Sequence, residues 1–124
     1  VNSFILENYP TSTYAGWAFR HYHFKHNIIE PFNNEEAREE RIKYKDLIIE
    51  FLKFNRDFPF SGDLSAEAAY ICSQIGDYKC ACEQYKEAFK LKWEIPMLDE
   101  RGRKKVIERR RLSYEKLKKE GKCK

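Results

Sequence analysis

Apolar residues recur along this chain at spacings of three and four, and no stretch alternates strictly between apolar and polar. Tyr14, Trp17 and Ala18, followed by His21, Tyr22 and Lys25, carry that spacing through Tyr14–His26, with Ser12 placed to cap the first turn behind Pro10. Pro31 and two Asn interrupt it in the IIEPFNN segment. From Glu35 to about Asp57 an apolar stripe of Ile42, Leu47, Ile48, Phe51, Leu52 and Phe54 faces away from Lys43, Lys45, Glu50 and Lys53. Pro59 ends that helix, and Ser61 or Asp63 can cap the next, expected over Leu64–Ile75. Gly76-Asp77 makes a tight break, because glycine readily takes the left-handed conformation that closes a helix. Tyr78–Leu91 is helical again, Pro96 breaks, Asp99 is placed as an N-cap, and Glu100–Glu120 forms a last, charged helix. Its apolar content is thin: Val106, Ile107, Leu112, Tyr114 and Leu117. The expected fold is all-α, with about five helices.

Composition narrows this picture. Nine Phe, eight Tyr and two Trp in 124 residues supply a core and exclude a disordered chain. Five Gly and four Pro are too few for a turn-rich all-β fold, and no apolar run approaches the roughly 18–20 residues of a membrane span. The net charge of +4 is unevenly spread. Residues 98–124 hold 12 Lys/Arg against 5 Asp/Glu, whereas residues 1–97 hold 12 against 15. Basicity therefore belongs to the C-terminal segment. The first residue is Val1, which is expected of a processed chain or a fragment.

One instruction is written twice. Tyr9-Pro10-Thr11-Ser12, followed by Ala15 and Ala18, is matched 49 residues later by Phe58-Pro59-Phe60-Ser61, followed by Ala66 and Ala69. Repeats of this kind point to stacked units, since one helix pair cannot bury its own apolar faces. Ala69 in the first helix and Ala81 and Ala88 in the second stand where two antiparallel helices approach closely, flanked by Cys72, Tyr78, Tyr85 and Phe89. With GDYKCACEQYKEAFKL (Gly76–Leu91), this pair resembles the helix-turn-helix unit of the tetratricopeptide repeat.

The chain departs from the repeat at Ser65, where a bulky aromatic is usual, and in its late proline, Pro96. Its period is also longer than the repeat's. Lengthened repeats with a (Tyr/Phe)-Pro-x-Ser start resemble the tetratricopeptide-like domains of bacterial envelope proteins. Examples are the outer-membrane assembly lipoprotein of the BamD type and the periplasmic coordinator of the Tol-Pal system. The resemblance implies a short α-solenoid over residues 1–97, with repeat boundaries near 9–12 and 58–61. The basic segment 98–124 would then be a charged capping helix and tail. Asn2–Asn8 would be the end of a preceding helix. The implied function is a protein–protein interaction or scaffold module, an accessory subunit of an envelope-associated, periplasmic or outer-membrane assembly. In such stacks the first helix of each pair lines the groove, which selects Trp17, Arg20, Tyr22, Lys25, Glu67 and Tyr70 as partner-binding residues.

Other chemistry is weakly written. His23 and His26 share a helical face at i,i+3, but His21 points elsewhere and no further ligand stands at metal spacing. No phosphate loop, nucleophile–base spacing or carboxylate pair marks an enzyme, and no cofactor is expected. Cys80 and Cys82 diverge by roughly 200° on a helix and so cannot act as a pair. Cys72 and Cys82 both turn inward across the Gly76-Asp77 hairpin. In an oxidising compartment they could form a disulfide, and in a reducing one they would fill the core as thiols. Cys123 is expected to be free or bridged to another chain. The run RGRKKVIERRR supplies a basic surface of Arg101, Arg103, Lys104, Lys105, Arg109, Arg110 and Arg111. A solvated cap, an acidic protein partner, and nucleic acid or an anionic surface all remain open for it. Tyr114 is the only nearby ring, which gives little for bases to stack on.

Overall fold

A computed structural model of the chain describes the backbone at residues 8–9, 11–26 and 35–123, and side chains at 8–9, 11–19 and 38–123. The described residues form five helices and no strand: α1 (Thr13–His26), α2 (Glu35–Phe54), α3 (Ser61–Gln74), α4 (Tyr78–Ala88) and α5 (Glu100–Lys119). The all-α expectation holds, and each expected helix is present within three residues at either end. The expected helix end over Asn2–Asn8 lies almost wholly outside the described residues. The chain divides into two compact units, Val1–Phe58 and Pro59–Lys124.

The first unit is built on aromatic edges. Phe19 of α1 meets Phe51 of α2 edge-on at 5.4 Å, and Phe51 meets Phe58 the same way at 5.3 Å. Edge-to-face contacts of this kind add to the area the rings bury. Gly16 lies directly against the Phe58 ring, so that even a methyl group there would collide with it. The Tyr44 hydroxyl donates to the Phe19 carbonyl at 3.2 Å, which lets a polar ring take a place in the core. The expected α2 stripe is buried at Ile48, Phe51 and Leu52, but Phe54 lies outward, 68% exposed. Ser12 does not cap forward: its hydroxyl donates back to the Tyr9 carbonyl at 2.9 Å.

The second unit starts from a seam of small residues. Ala66, Ala69 and Cys72 of α3 and Ala81 and Ala88 of α4 are fully buried together with Tyr85. Small side chains allow two helix backbones to approach closely. The turn between them is a Schellman closure: the Asp77 N–H reaches the Cys72 carbonyl at 2.9 Å, the Gly76 N–H reaches Ser73 at 3.2 Å, and Gly76 has φ +81°. The Asp77 carboxylate then caps α4 by accepting from the Cys80 N–H.

α3 carries no side-chain cap, contrary to the Ser61 or Asp63 expectation. The loop after α4 returns to this end instead. The Gly62 N–H donates to the Lys92 carbonyl and the Glu94 N–H to the Pro59 carbonyl, both at 2.7 Å. The free first-turn amide is thus satisfied by backbone, and Ser61 turns its hydroxyl to accept from the Lys92 N–H. α4 ends at Ala88, short of Leu91, where the Trp93 indole N–H donates to the Ala88 carbonyl at 2.9 Å.

All four cysteines are bridged, and not as the hairpin reading expected. Cys72 pairs with Cys80, at a Cα–Cα distance of 5.8 Å, and Cys82 pairs with Cys123, at 5.6 Å. The Cys72–Cys82 pairing fails because Cys80, one turn into α4, is the residue that faces α3. Cys82, rotated about 200° from it, faces the end of the chain. The chain reaches Cys82 through a second Schellman closure at Gly121 (φ +74°), where the Lys122 N–H bonds the Leu117 carbonyl at 2.9 Å.

The loops closed span 8 and 41 residues, for which chain entropy gives about 2.5 and about 4 kcal/mol of stabilisation. Double variants test the pairing. Cys72→Ser/Cys80→Ser and Cys82→Ser/Cys123→Ser should each show no titratable thiol, whereas Cys80→Ser/Cys123→Ser should show two. Denaturant unfolding should place the loss of Cys82–Cys123 above the loss of Cys72–Cys80.

Candidate interaction surface

α5 carries ten of the chain's 24 Lys and Arg residues, so its rotation decides which of them face outward. The helix is started by Asp99, whose carboxylate accepts from the Gly102 N–H at 2.7 Å, as the sequence reading expected. Helical periodicity places Arg103, Val106, Ile107, Arg110, Tyr114 and Leu117 on one face, and all six are buried or half-buried. Tyr114 stacks on Tyr85 and Phe89 of α4 with centroids at 5.6 and 6.1 Å, and Leu117 enters the core beside them.

Arg110 stands in the middle of this face. Its guanidinium donates to the Glu67 carboxylate at 2.9 Å and lies 3.7 Å from Asp63, both on α3. Glu67 is 3% exposed, so its charge needs this partner. Burial works to lower the Arg110 pKa, but the facing Glu67 and Asp63 outweigh it and hold the guanidinium above its ordinary value. Burial pushes the nearby Tyr85 phenol up, against the opposing pull of Arg110 and a hydrogen bond with Ser113.

The expected site residues therefore separate. Glu67, expected to bind a partner, is a buried internal anchor, and Arg110, expected on the basic surface, is the residue it holds. Both corrections have one cause: α3 is buried on nearly its whole circumference, and a carboxylate there draws a cation inward. The signal was in the sequence, since Arg103 and Arg110 fall at i,i+7 in register with Val106, Tyr114 and Leu117. Arg103 is half-buried, and its Nε has no hydrogen-bond partner among the described residues. Trp17 is 48% exposed, edge-on to Phe58 at 5.6 Å, and Tyr70 is 42% exposed. Arg20, Tyr22 and Lys25 lie on the α1 backbone with side chains outside those described, as do His21, His23 and His26.

Arg101, Lys104, Lys105, Arg109 and Arg111 are exposed. Lys104 pairs with Glu100 at 3.4 Å, and Arg111 pairs with Glu108 at 3.8 Å while covering the Phe89 ring. Arg101, Lys105 and Arg109 follow each other along the helix at four-residue spacing. A groove of about 590 Å³ runs along this outer face, lined by those three cations together with Glu100, Lys104, Glu108 and Leu112.

No protein family, curated protein or solved structure matches the chain. α5 is followed by a disulfide to α4, its inner Arg110 is paired with Glu67, and Arg101, Lys105 and Arg109 face solvent.

Removing one partner of the Glu67–Arg110 pair should destabilise the second unit by about 3 kcal/mol, since a buried charge is left uncompensated. Urea unfolding of Arg110→Ala against Arg109→Ala checks this, and the exposed Arg109 variant should stay within about 0.5 kcal/mol of the parent. The raised Tyr85 pKa has a defined sign. The neutral phenol's contribution is complete below its ordinary pKa of 10.0 and declines as pH rises through the higher folded value. Thermal stability should fall above about pH 10, and Tyr85→Phe should flatten that fall.

Proposed function

We propose that the chain is a non-enzymatic protein–protein interaction module of tetratricopeptide-like kind, an accessory or scaffold subunit in an oxidising, envelope-type compartment. The observation that carries this reading is the α3–α4 hairpin. Two antiparallel helices are seamed by Ala66, Ala69, Ala81 and Ala88, turned at Gly76-Asp77, and followed by a charged helix packed against the pair. The repeated aromatic-Pro-x-Ser start at Tyr9 and Phe58 supports it further, and the bridging of all four cysteines suits an oxidising environment. Exposed rings at Trp17 on α1 and Tyr70 on α3 are the kind of anchor such modules present. The surface of α5 is a second place for contact.

A second reading, contact of the 101–111 segment with nucleic acid or an anionic surface, has the exposed Arg101, Lys105 and Arg109 in its favour. Against it, Arg110 is spent internally, and Glu100 and Glu108 share the outer groove.

Photo-crosslinking side chains placed at Trp17, Tyr70 and, as a control, the exposed Lys79 would test the module reading in the source cells. Discrete adducts from positions 17 or 70 and none from 79 are the expected result. The same adducts from all three positions, or from none, would overturn it.

A further inference from the structure

Seven cations of α5 divide into satisfied and unsatisfied ones. Arg110 is held by Glu67 and Asp63, Arg111 lies over Phe89, Lys118 lies 4.2 Å over the Tyr114 ring, and Lys104 is paired with Glu100. The side chains of Arg101, Lys105 and Arg109 have no ion pair, hydrogen bond or ring contact among the described residues. They form one ridge at i, i+4 and i+8, inclined to the helix axis, with steps of about 6 Å and a total of about 12 Å along that axis. Like charges at this spacing repel along a helix, and no ion pair among the described residues offsets them. The parallel ridge on the other side of the groove is two-signed and ends apolar: Glu100, Lys104, Glu108, then Leu112, which is 61% exposed.

We infer that the outer groove of α5 docks an acidic amphipathic helix of a partner protein, one with carboxylates at i, i+4 and i+8 beside an apolar residue. This rests on the interaction-module reading and names the partner chemistry of one of its surfaces. The register carries it, because a second helix repeats its side chains at the same 6 Å rise, so three carboxylates meet three cations at once. Leu112 gives that helix an apolar contact at one end of the groove. A phosphate backbone fits worse: its charge is continuous and of one sign, so it meets Glu100 and Glu108 as well as the cations.

The test is fluorescence anisotropy on the full, oxidised chain with a labelled synthetic helix bearing Glu at i, i+4 and i+8 and a flanking Leu. A second peptide has the same composition with Glu at i, i+2 and i+5, which breaks the ridge. The first peptide should bind at low salt, and more weakly at physiological ionic strength. The second peptide should bind about tenfold more weakly, the combined effect of three exposed ion pairs each worth a factor of about two to three. Arg101→Gln/Lys105→Gln/Arg109→Gln should lose the same factor for the first peptide while circular dichroism and unfolding remain those of the parent.

Equal binding of the two peptides would overturn the proposal, as would unchanged binding by the triple variant or no binding at low salt. So would tighter, ridge-dependent binding of duplex DNA or phosphatidylserine vesicles. If the peptides fail while positions 17 or 70 still crosslink to a discrete partner, the docking proposal falls and the module reading stands.

Discussion

The second unit depends on a carboxylate in the wrong medium. Glu67 lies on a helix buried nearly all round, where an unpaired charge would be costly enough to undo the packing. Arg110 answers it, and in doing so fixes more than one ion pair. Once Arg110 points at α3, the rotation of α5 is set. Val106, Ile107, Tyr114 and Leu117 must turn inward with it, and Arg101, Lys105 and Arg109, roughly 100° to 180° around the helix, must turn out. The cationic ridge is a geometric consequence of the buried pair.

Packing alone would hold this arrangement weakly. The α3–α4 seam is made largely of alanines, which permit close approach but bury little area each. Few large apolar side chains of α5 enter the core. A unit of this size with so little area is the kind that needs covalent staples. The two disulfides act at complementary places. Cys72–Cys80 closes the hairpin next to its turn, and Cys82–Cys123 ties the far end of α5 back to α4. Their divergence follows from the two-residue spacing of Cys80 and Cys82, which sends one sulfur toward α3 and the other toward the chain end.

Helix positions were legible because their signals are local. Proline and glycine breaks, the Asp99 cap and threefold-to-fourfold apolar spacing need no knowledge of the rest of the chain. What escaped was non-local. Ser61 and Asp63 are reasonable caps until the 92–94 loop returns and takes the amide they would have served. Phe54 belongs to an apolar stripe by spacing, yet it lies outward while Ile48, Phe51 and Leu52 are buried. Cys72 and Cys82 are nearly equidistant from the turn, but rotation about α4, not distance, decides which sulfur meets Cys72. Glu67 and Arg110 were read as surface residues by their type. Only their company, small residues around one and an apolar heptad around the other, says that they face inward.

The same point bears on the basic segment as a whole. An excess of Lys and Arg over 98–124 invites the view of a uniform electrostatic surface, but the side chains do different jobs. Arg110 neutralises the core, and Arg111, Lys118 and Lys122 cover the rings of Phe89, Tyr114 and Tyr78. Such cations over aromatic faces shield apolar area while keeping their charge in water. The field left for a partner is therefore narrower than the composition implies, and it is directional. On α5 it includes the ridge of Arg101, Lys105 and Arg109, beside a two-signed neighbour. A surface of that kind discriminates by register more than by total charge, because displacing an opposing helix by one residue moves its carboxylates about 100° off the ridge.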